Sequence, residues 1–270
     1  MIKHWVNGQP SDSLPVEDRG LQYGDGFFTT MAVRNGKIQN LDYHQIRISH
    51  GLRLLNFSVD VAKIWQFTEQ KATSLNDGGL KLTITRGVGG RGYQSPEHPS
   101  PNWIISSFAL PPIYKEWQEV GVRLALAKTR LAVGNVFSHL KTLNRIEQVA
   151  LKQELTKDND ELLVLDYLGN VSEAITANVF WRKGKKIYTP ELKLAGVFGT
   201  QRSYLIEKLQ HREFADFELN IDNYPLAHIQ NSDEIWLTNS LLPIVPVRQF
   251  ESKTYQDFSF TQRLLGDLGY

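Results

Sequence analysis

The chain has 270 residues, 41% of them hydrophobic and 22% charged, an ordinary composition for one large globular domain or two smaller ones. Lys plus Arg is 30 against 29 for Asp plus Glu, so no basic surplus is available to hold a nucleic-acid backbone. Cysteine is absent, which removes disulfides, thiolate nucleophiles and cysteine-ligated zinc together.

The opening Met1-Ile2-Lys3-His4-Trp5-Val6-Asn7-Gly8 lacks the apolar stretch of a signal peptide, and no run reaches the roughly 18 apolar residues of a membrane span. A cytoplasmic enzyme with no membrane or nucleic-acid partner is the expectation. Val6-Asn7-Gly8 predicts a hairpin turn after a short strand. Positions 41, 44, 48, 52 and 55 recur at helical spacing, with Arg47 and Gly51 on a neighbouring face. A second helix is expected over 61–74. Leu80, Leu82 and Ile84 alternate with Lys81, Thr83 and Thr85, the period of a half-buried strand, and 103–110 reads as another. Leu110-Pro111-Pro112-Ile113-Tyr114 suits an extended connector. Beyond it, Val122, Leu124 and Leu126 alternate in a strand, and 144–155 is an amphipathic helix. Strands follow over 161–166, 171–182 and 185–189, then a helix over 200–210, strands near 234–238 and 243–248, and a helix from Thr261. The pattern predicts an α+β protein: a smaller α/β N-terminal domain over 1–110, a linker over 111–119 and a strand-rich C-terminal domain over 120–270.

Gly87-Val88-Gly89-Gly90-Arg91-Gly92 has the spacing G-x-G-x-x-G after a predicted strand. A dinucleotide site needs a helix opening at the last glycine, and the three prolines at 96, 99 and 101 forbid one. What remains is a flexible glycine loop carrying Arg91, either a surface turn or a means of placing a guanidinium on a carboxylate. Gly196-Val197-Phe198-Gly199-Thr200-Gln201-Arg202 opens a predicted helix, whose first free N–H groups favour an anion; a plain turn is the alternative. Arg47 offers a guanidinium to phosphate oxygens, or a solvated surface charge. Thr238-Asn239-Ser240-Leu241 follows a predicted strand and offers small polar groups to the same cup. Lys141, in Phe137-Ser138-His139-Leu140-Lys141-Thr142-Leu143-Asn144-Arg145, and Glu173, in Val171-Ser172-Glu173-Ala174, offer the amine and the acid that pyridoxal phosphate chemistry needs; a surface lysine beside a loop and a solvated strand residue are the alternatives. No histidine falls in a metal-ligand pattern, so a metal site is not expected.

Taken in order, these segments resemble the fold-type IV pyridoxal-phosphate enzymes: branched-chain aminotransferases, D-amino-acid aminotransferases and 4-amino-4-deoxychorismate lyases. Asp18-Arg19-Gly20 and Gly24-Asp25-Gly26-Phe27-Phe28 are similar to the family's N-terminal signature, and His44-Gln45-Ile46-Arg47 to its phosphate-arginine helix. The resemblance covers Asn7 to about Val247. It implies a pseudo-barrel C-terminal domain, a homodimer and pyridoxal 5′-phosphate as cofactor. It assigns Lys141 as covalent anchor and proton shuttle and Glu173 as the acid on the pyridine nitrogen. Arg47, Val197, Phe198, Asn239 and Ser240 are the further cofactor contacts. Thr29, the run from Thr85 to Tyr93, and Leu140-Lys141-Thr142-Leu143-Asn144-Arg145 are similar to the lyases. They imply conversion of 4-amino-4-deoxychorismate to 4-aminobenzoate and pyruvate in folate biosynthesis, with Arg91, Tyr93 and Thr29 meeting substrate. A D-amino-acid or branched-chain aminotransferase on the same fold is the alternative.

Overall fold

The computed structural model describes residues 2–268. The chain divides into two compact units, one formed by Met1–Leu110 with Leu140–Asn144, the other by Pro111–His139 with Arg145–Tyr270.

The first unit contains β1 (Lys3–Val6), β2 (Gln9–Pro10), α1 (Arg19–Tyr23), β3 (Gly26–Arg34), β4 (Lys37–Ile38), α2 (Leu41–Leu54), α3 (Val61–Leu75), β5 (Gly78–Thr85) and β6 (Asn102–Phe108). Its six strands pair in the order β2-β1-β6-β5-β3-β4, every neighbour antiparallel. Because side chains alternate along a strand, Phe27, Met31 and Val33 of β3 share one face with Leu80, Leu82 and Ile84 of β5 and with Trp103 and Ile105 of β6. Ile48 and Leu52 of α2 and Ile64 and Trp65 of α3 cover that face and form the core with them. Asp60 caps α3, its carboxylate accepting from Lys63 N at 3.0 Å. At the other edge of β3 the chain is paired twice. β4 takes the far end, and Leu140–Asn144 takes the near end, with Phe28 N donating to Lys141 O and Leu143 N to Gly26 O. Leu140 is buried in the core of this unit.

The second unit contains α4 (Ile113–Val120), β7 (Val122–Leu126), α5 (Ile146–Gln153), β8 (Glu161–Leu165), β9 (Val171–Ala174), β10 (Asn178–Lys183), β11 (Lys186–Pro190), α6 (Thr200–Leu209), β12 (Glu218–Asp222), α7 (Leu226–Gln230), β13 (Glu234–Thr238), β14 (Val245–Phe250), β15 (Lys253–Thr254) and α8 (Ser259–Asp267). The sheet runs β12-β11-β10-β13-β14-β7-β8-β9, with β15 beside β14. It curls back on itself: Ala174 N, at the end of β9, donates to Ala177 O immediately before β10, although the two strands are far apart in the sheet order. Three apolar clusters fill this unit, built around Trp181 and Val247, around Phe180 and Trp236, and around Leu162 and Val164.

Three local expectations change. Residues 113–120 are helical rather than an extended connector, because Pro112 takes up helical dihedrals at the N-cap, a place where the missing N–H costs nothing. The helix expected from 144 begins only at Ile146, since Leu140–Asn144 is extended against β3. The single strand expected over 171–182 is two strands, divided by the tight turn at 175–177.

Candidate functional site

In the first unit, Lys141 lies on the paired segment beside β3, its Nζ 5.1 Å from the centre of the Phe28 ring. Phe28 and Thr30 project from the face of β3 opposite the helices. Thr29 projects into the core, fully buried among Phe27, Met31 and Leu82. Its hydroxyl accepts from Arg47 Nη1 at 3.3 Å and lies 2.6 Å from His44 Nδ1. Burial, with the neighbouring Arg47 charge, holds His44 well below its ordinary value, so the ring is neutral at pH 7. Burial also pushes the Arg47 guanidinium down to about 10, which leaves it charged. The structure therefore corrects the placement of Thr29: period two puts it on the covered face, where it steadies Arg47, and puts Thr30 on the face that carries Lys141.

The glycine loop is pinned rather than flexible. Gly87, Gly89, Gly90 and Gly92 all have positive φ, which only glycine adopts without strain. The turn wraps the nearly buried guanidinium of Arg19, which donates to the carbonyls of Gly89, Gly92, Gln94 and Tyr93. Asp25 Oδ2 accepts from Arg19 Nε at 2.9 Å and Arg86 Nε at 2.7 Å, so one carboxylate joins the root of the loop to its centre. Arg91 is exposed, and so is Tyr93, at 91%, with its ring edge-on to Tyr23. Arg91 and Tyr93 thus share a presented loop, while Thr29 is not brought to them.

In the second unit, Glu173 on β9 is buried and its Oε2 accepts from Val197 N at 2.8 Å. Arg202 on α6 is buried, with Nε on Thr189 Oγ1 and Nη2 on Pro190 O. Burial pushes its guanidinium down to about 10 while the Glu173 charge works against that shift. Arg145 feels the same two influences, burial first. The Glu173 carboxylate thus sits in the field of two guanidinium groups.

The 196–199 turn is held by Asn178 Nδ2 donating to Val197 O at 2.9 Å and by Phe198 N donating to His139 O. The Phe198 and His139 rings pack 5.2 Å apart. A methyl group on Gly196 would meet Ser172 Oγ at 2.8 Å and Glu173 Oε2 at 3.3 Å, so the turn lies against the acid. Gly199, the N-cap of α6, offers no side-chain cap, and the first turn has no acidic residue. The hydroxyls of Thr200 and Ser172 are buried without a protein hydrogen-bond partner. An uncapped helix start with orphaned hydroxyl groups at and beside it fits a phosphate. Asn239 is otherwise engaged: its Oδ1 accepts from Leu241 N and Leu242 N, and its Nδ2 donates to Thr176 O. Its side chain shapes the turn that presents the partly buried Ser240. No group of three or more His, Asp or Glu side chains that could hold a metal ion occurs among the described residues.

The sequence marks Arg19 and Asp25 only as parts of the N-terminal signature, Ser172 only as a neighbour of Glu173, and Thr200 and Arg202 only as members of the glycine-bearing helix start; it gives Thr30 and Lys81 no site role. For Thr30 and Lys81 a signal was present, the alternation of β3 and β5. Nothing in the local sequence marks a buried arginine such as Arg202.

Residues 26–250 match the model of the amino-transferase class IV family, and the chain belongs to that family. It is 34% identical over 270 residues to the aminodeoxychorismate lyase of Vibrio harveyi, covering 98% of each chain. The crystal structure of 4-amino-4-deoxychorismate lyase from Pseudomonas aeruginosa superposes with a TM-score of 0.92 at 35% identity, over 98% of this chain and 97% of that one. The branched-chain amino acid aminotransferase of Escherichia coli shares the fold, with a TM-score of 0.86 at 18% identity over 99% and 93% of the two chains.

Proposed function

We propose that this chain converts 4-amino-4-deoxychorismate to 4-aminobenzoate and pyruvate, with pyridoxal 5′-phosphate as cofactor. The carrying observation is near-full-length similarity to lyases at 34% and 35% identity, against 18% for the aminotransferase.

Lys141 anchors the cofactor through Nζ. Arg47 and the turn of Val197 and Phe198, with Thr200 at the helix start, take its phosphate, and Ser240 completes the set. When bound, the cofactor supplies an electron-withdrawing ring that accepts the charge left on the carbon that loses a proton. Glu173, fixed by the Val197 N–H, keeps the pyridine nitrogen protonated. Once the substrate amine has taken its place on the cofactor, the freed Lys141 Nζ would remove the proton from the amine-bearing carbon of the substrate. It returns a proton as the enolpyruvyl group departs to become pyruvate and the ring becomes aromatic. Arg91 and Tyr93 meet the substrate from the presented loop, and Thr29 acts through Arg47. The protein works as a cytoplasmic homodimer in folate biosynthesis; no helix of the described residues is long and apolar enough to cross a membrane.

Two assays separate this reading from an aminotransferase: formation of 4-aminobenzoate from aminodeoxychorismate, and keto-acid formation from D-alanine or a branched-chain amino acid with 2-oxoglutarate. The first is expected to be fast and the second slow or silent; the reverse overturns the lyase reading. Lys141→Ala is expected to lose both the visible absorption and the activity, and a yellow, active variant would end the assignment of Lys141.

A further inference from the structure

The face of the first unit's sheet away from the helices carries a second amine beside Lys141. Thr30 of β3 pairs with Lys81 of β5, Lys81 pairs with Ser106 of β6, and Ser106 pairs with His4 of β1, so these four side chains form one row. The neighbouring row begins with Phe28 and Thr83. Lys81 does not extend into water. Its Nζ sits 4.4 Å from the centre of the Phe28 ring, the ring that also holds Lys141 Nζ at 5.1 Å. A single aromatic ring therefore fixes two ammonium groups within roughly 10 Å of each other, about one Debye length at moderate salt. Lys81 is half-buried, and burial lowers its own proton affinity somewhat.

Resting on the assignment of Lys141 as the cofactor lysine, we propose that Lys81 is a positioning cation for it: the Lys81 charge favours the uncharged, proton-accepting form of the Lys141 amine. A like charge at this range disfavours protonation of its neighbour, and a lysine beside another cation is a recognised route to a nucleophilic amine at neutral pH. The other titratable or charged groups on this face are His4, whose Nδ1 is 2.8 Å from Ser106 Oγ, Arg34 at the far end of β3 with its cross-strand neighbour Lys37, and Asp18, whose carboxylate accepts from Thr85 Oγ1 and Asn102 Nδ2. Asp18 supplies the carboxylate among them, and it is engaged by Thr85 and Asn102, two cross-strand rows along the sheet from Lys81. Phe28 itself supplies the platform: its ring attracts both cations and brings them together without neutralising either.

The test is a spectroscopic pH titration of the holoenzyme, following the visible band of the bound cofactor as its link to Lys141 gains or loses its proton. With the Lys81 charge removed in Lys81→Met, the midpoint is expected to rise by about one pH unit, the size of a like-charge interaction at this separation in a half-wet site. Lys81→Arg, which keeps the charge, is expected to stay within a small fraction of that shift, and Lys81→Gln serves if the methionine variant folds poorly. Raising the salt from roughly 0.01 M to 1 M contracts the Debye length from about 30 Å to 3 Å, and should raise the wild-type midpoint but leave Lys81→Met nearly unmoved. An unshifted midpoint in Lys81→Met, or an equal shift in Lys81→Arg, overturns the proposal. A visible band that survives in Lys141→Ala would instead overturn the assignment of Lys141, so the two failures are distinct.

Discussion

Replacement of Gly199 by alanine tests whether the turn before α6 is a built anion cup. Gly199 has φ −63° and ψ 137°, dihedrals open to alanine, so backbone strain contributes nothing. The added methyl would instead overlap the Oδ1 of buried Asn178. To make room, the Asn178 amide must give up its bond to Val197 O, leaving a buried carbonyl unpaired at a cost of about 1–3 kcal/mol. Val197 also donates to Glu173, so the displaced turn loosens the acid as well. Urea unfolding of the cofactor-free protein is expected to show stability lowered by that amount, read as a lower midpoint with an unchanged slope. If the cofactor-bound state loses a further bond of the same worth, pyridoxal phosphate titration should show roughly 5- to 150-fold weaker binding, since about 1.4 kcal/mol is a factor of ten. Asn178→Ala removes the obstructing amide, so the double variant should be less damaged than the sum of the single changes. A Gly199→Ala protein with wild-type stability and wild-type cofactor affinity would refute the argument.

Arg19→Lys keeps a charge for Asp25 but cannot reach four carbonyls at once, so the loop over 87–94 should loosen. Trypsin cleavage after Arg91 in the native protein is expected to accelerate about tenfold, and the substrate KM to rise with kcat less affected; unchanged cleavage would show that the loop is held otherwise. His44 is neutral in the folded protein and protonates more readily once unfolded. Stability is therefore present above pH about 6.5 and is lost as pH falls below it, by about 1.4 kcal/mol per pH unit until the lowered folded value is reached. His44→Gln should remove that slope below about pH 6.5. Denaturation midpoints measured across this range check it, and parallel curves for the two proteins would contradict the sign.

The lysine segment, the glutamate strand and the glycine-bearing helix start stand out in the sequence because each is short and local, and each residue type has a chemical reason for its proposed place. Thr29 was misplaced for a reason equally local. The alternation that marks Leu80, Leu82 and Ile84 as one face also separates Thr29 from Thr30, yet β3 is mostly apolar on both faces and hides its own period. The loop over 87–94 looked flexible because glycines set permissible dihedrals; what fixes them is Arg19, which donates to Gly89 across 70 positions of chain. The orphaned hydroxyls of Ser172 and Thr200 and the electrostatic partnership of Glu173 with Arg202 arise from packing between segments. No spacing rule reports them.

The small paired segment Leu140–Asn144 also orders events during synthesis. When Leu110 has been made, the unit built on it still lacks its closing piece, and the edge of β3 from Gly26 to Phe28 has unpaired backbone groups. Ribosomes add about 5–20 residues per second, so that edge stays open for a few seconds until residue 144 follows. An open edge next to Phe27 and Phe28 invites pairing with another chain. A fragment ending at Leu110 should therefore aggregate, whereas one that carries residue 144 brings its own edge strand. The lysine is thus among the last parts laid into the first unit, delivered by the strand that seals it.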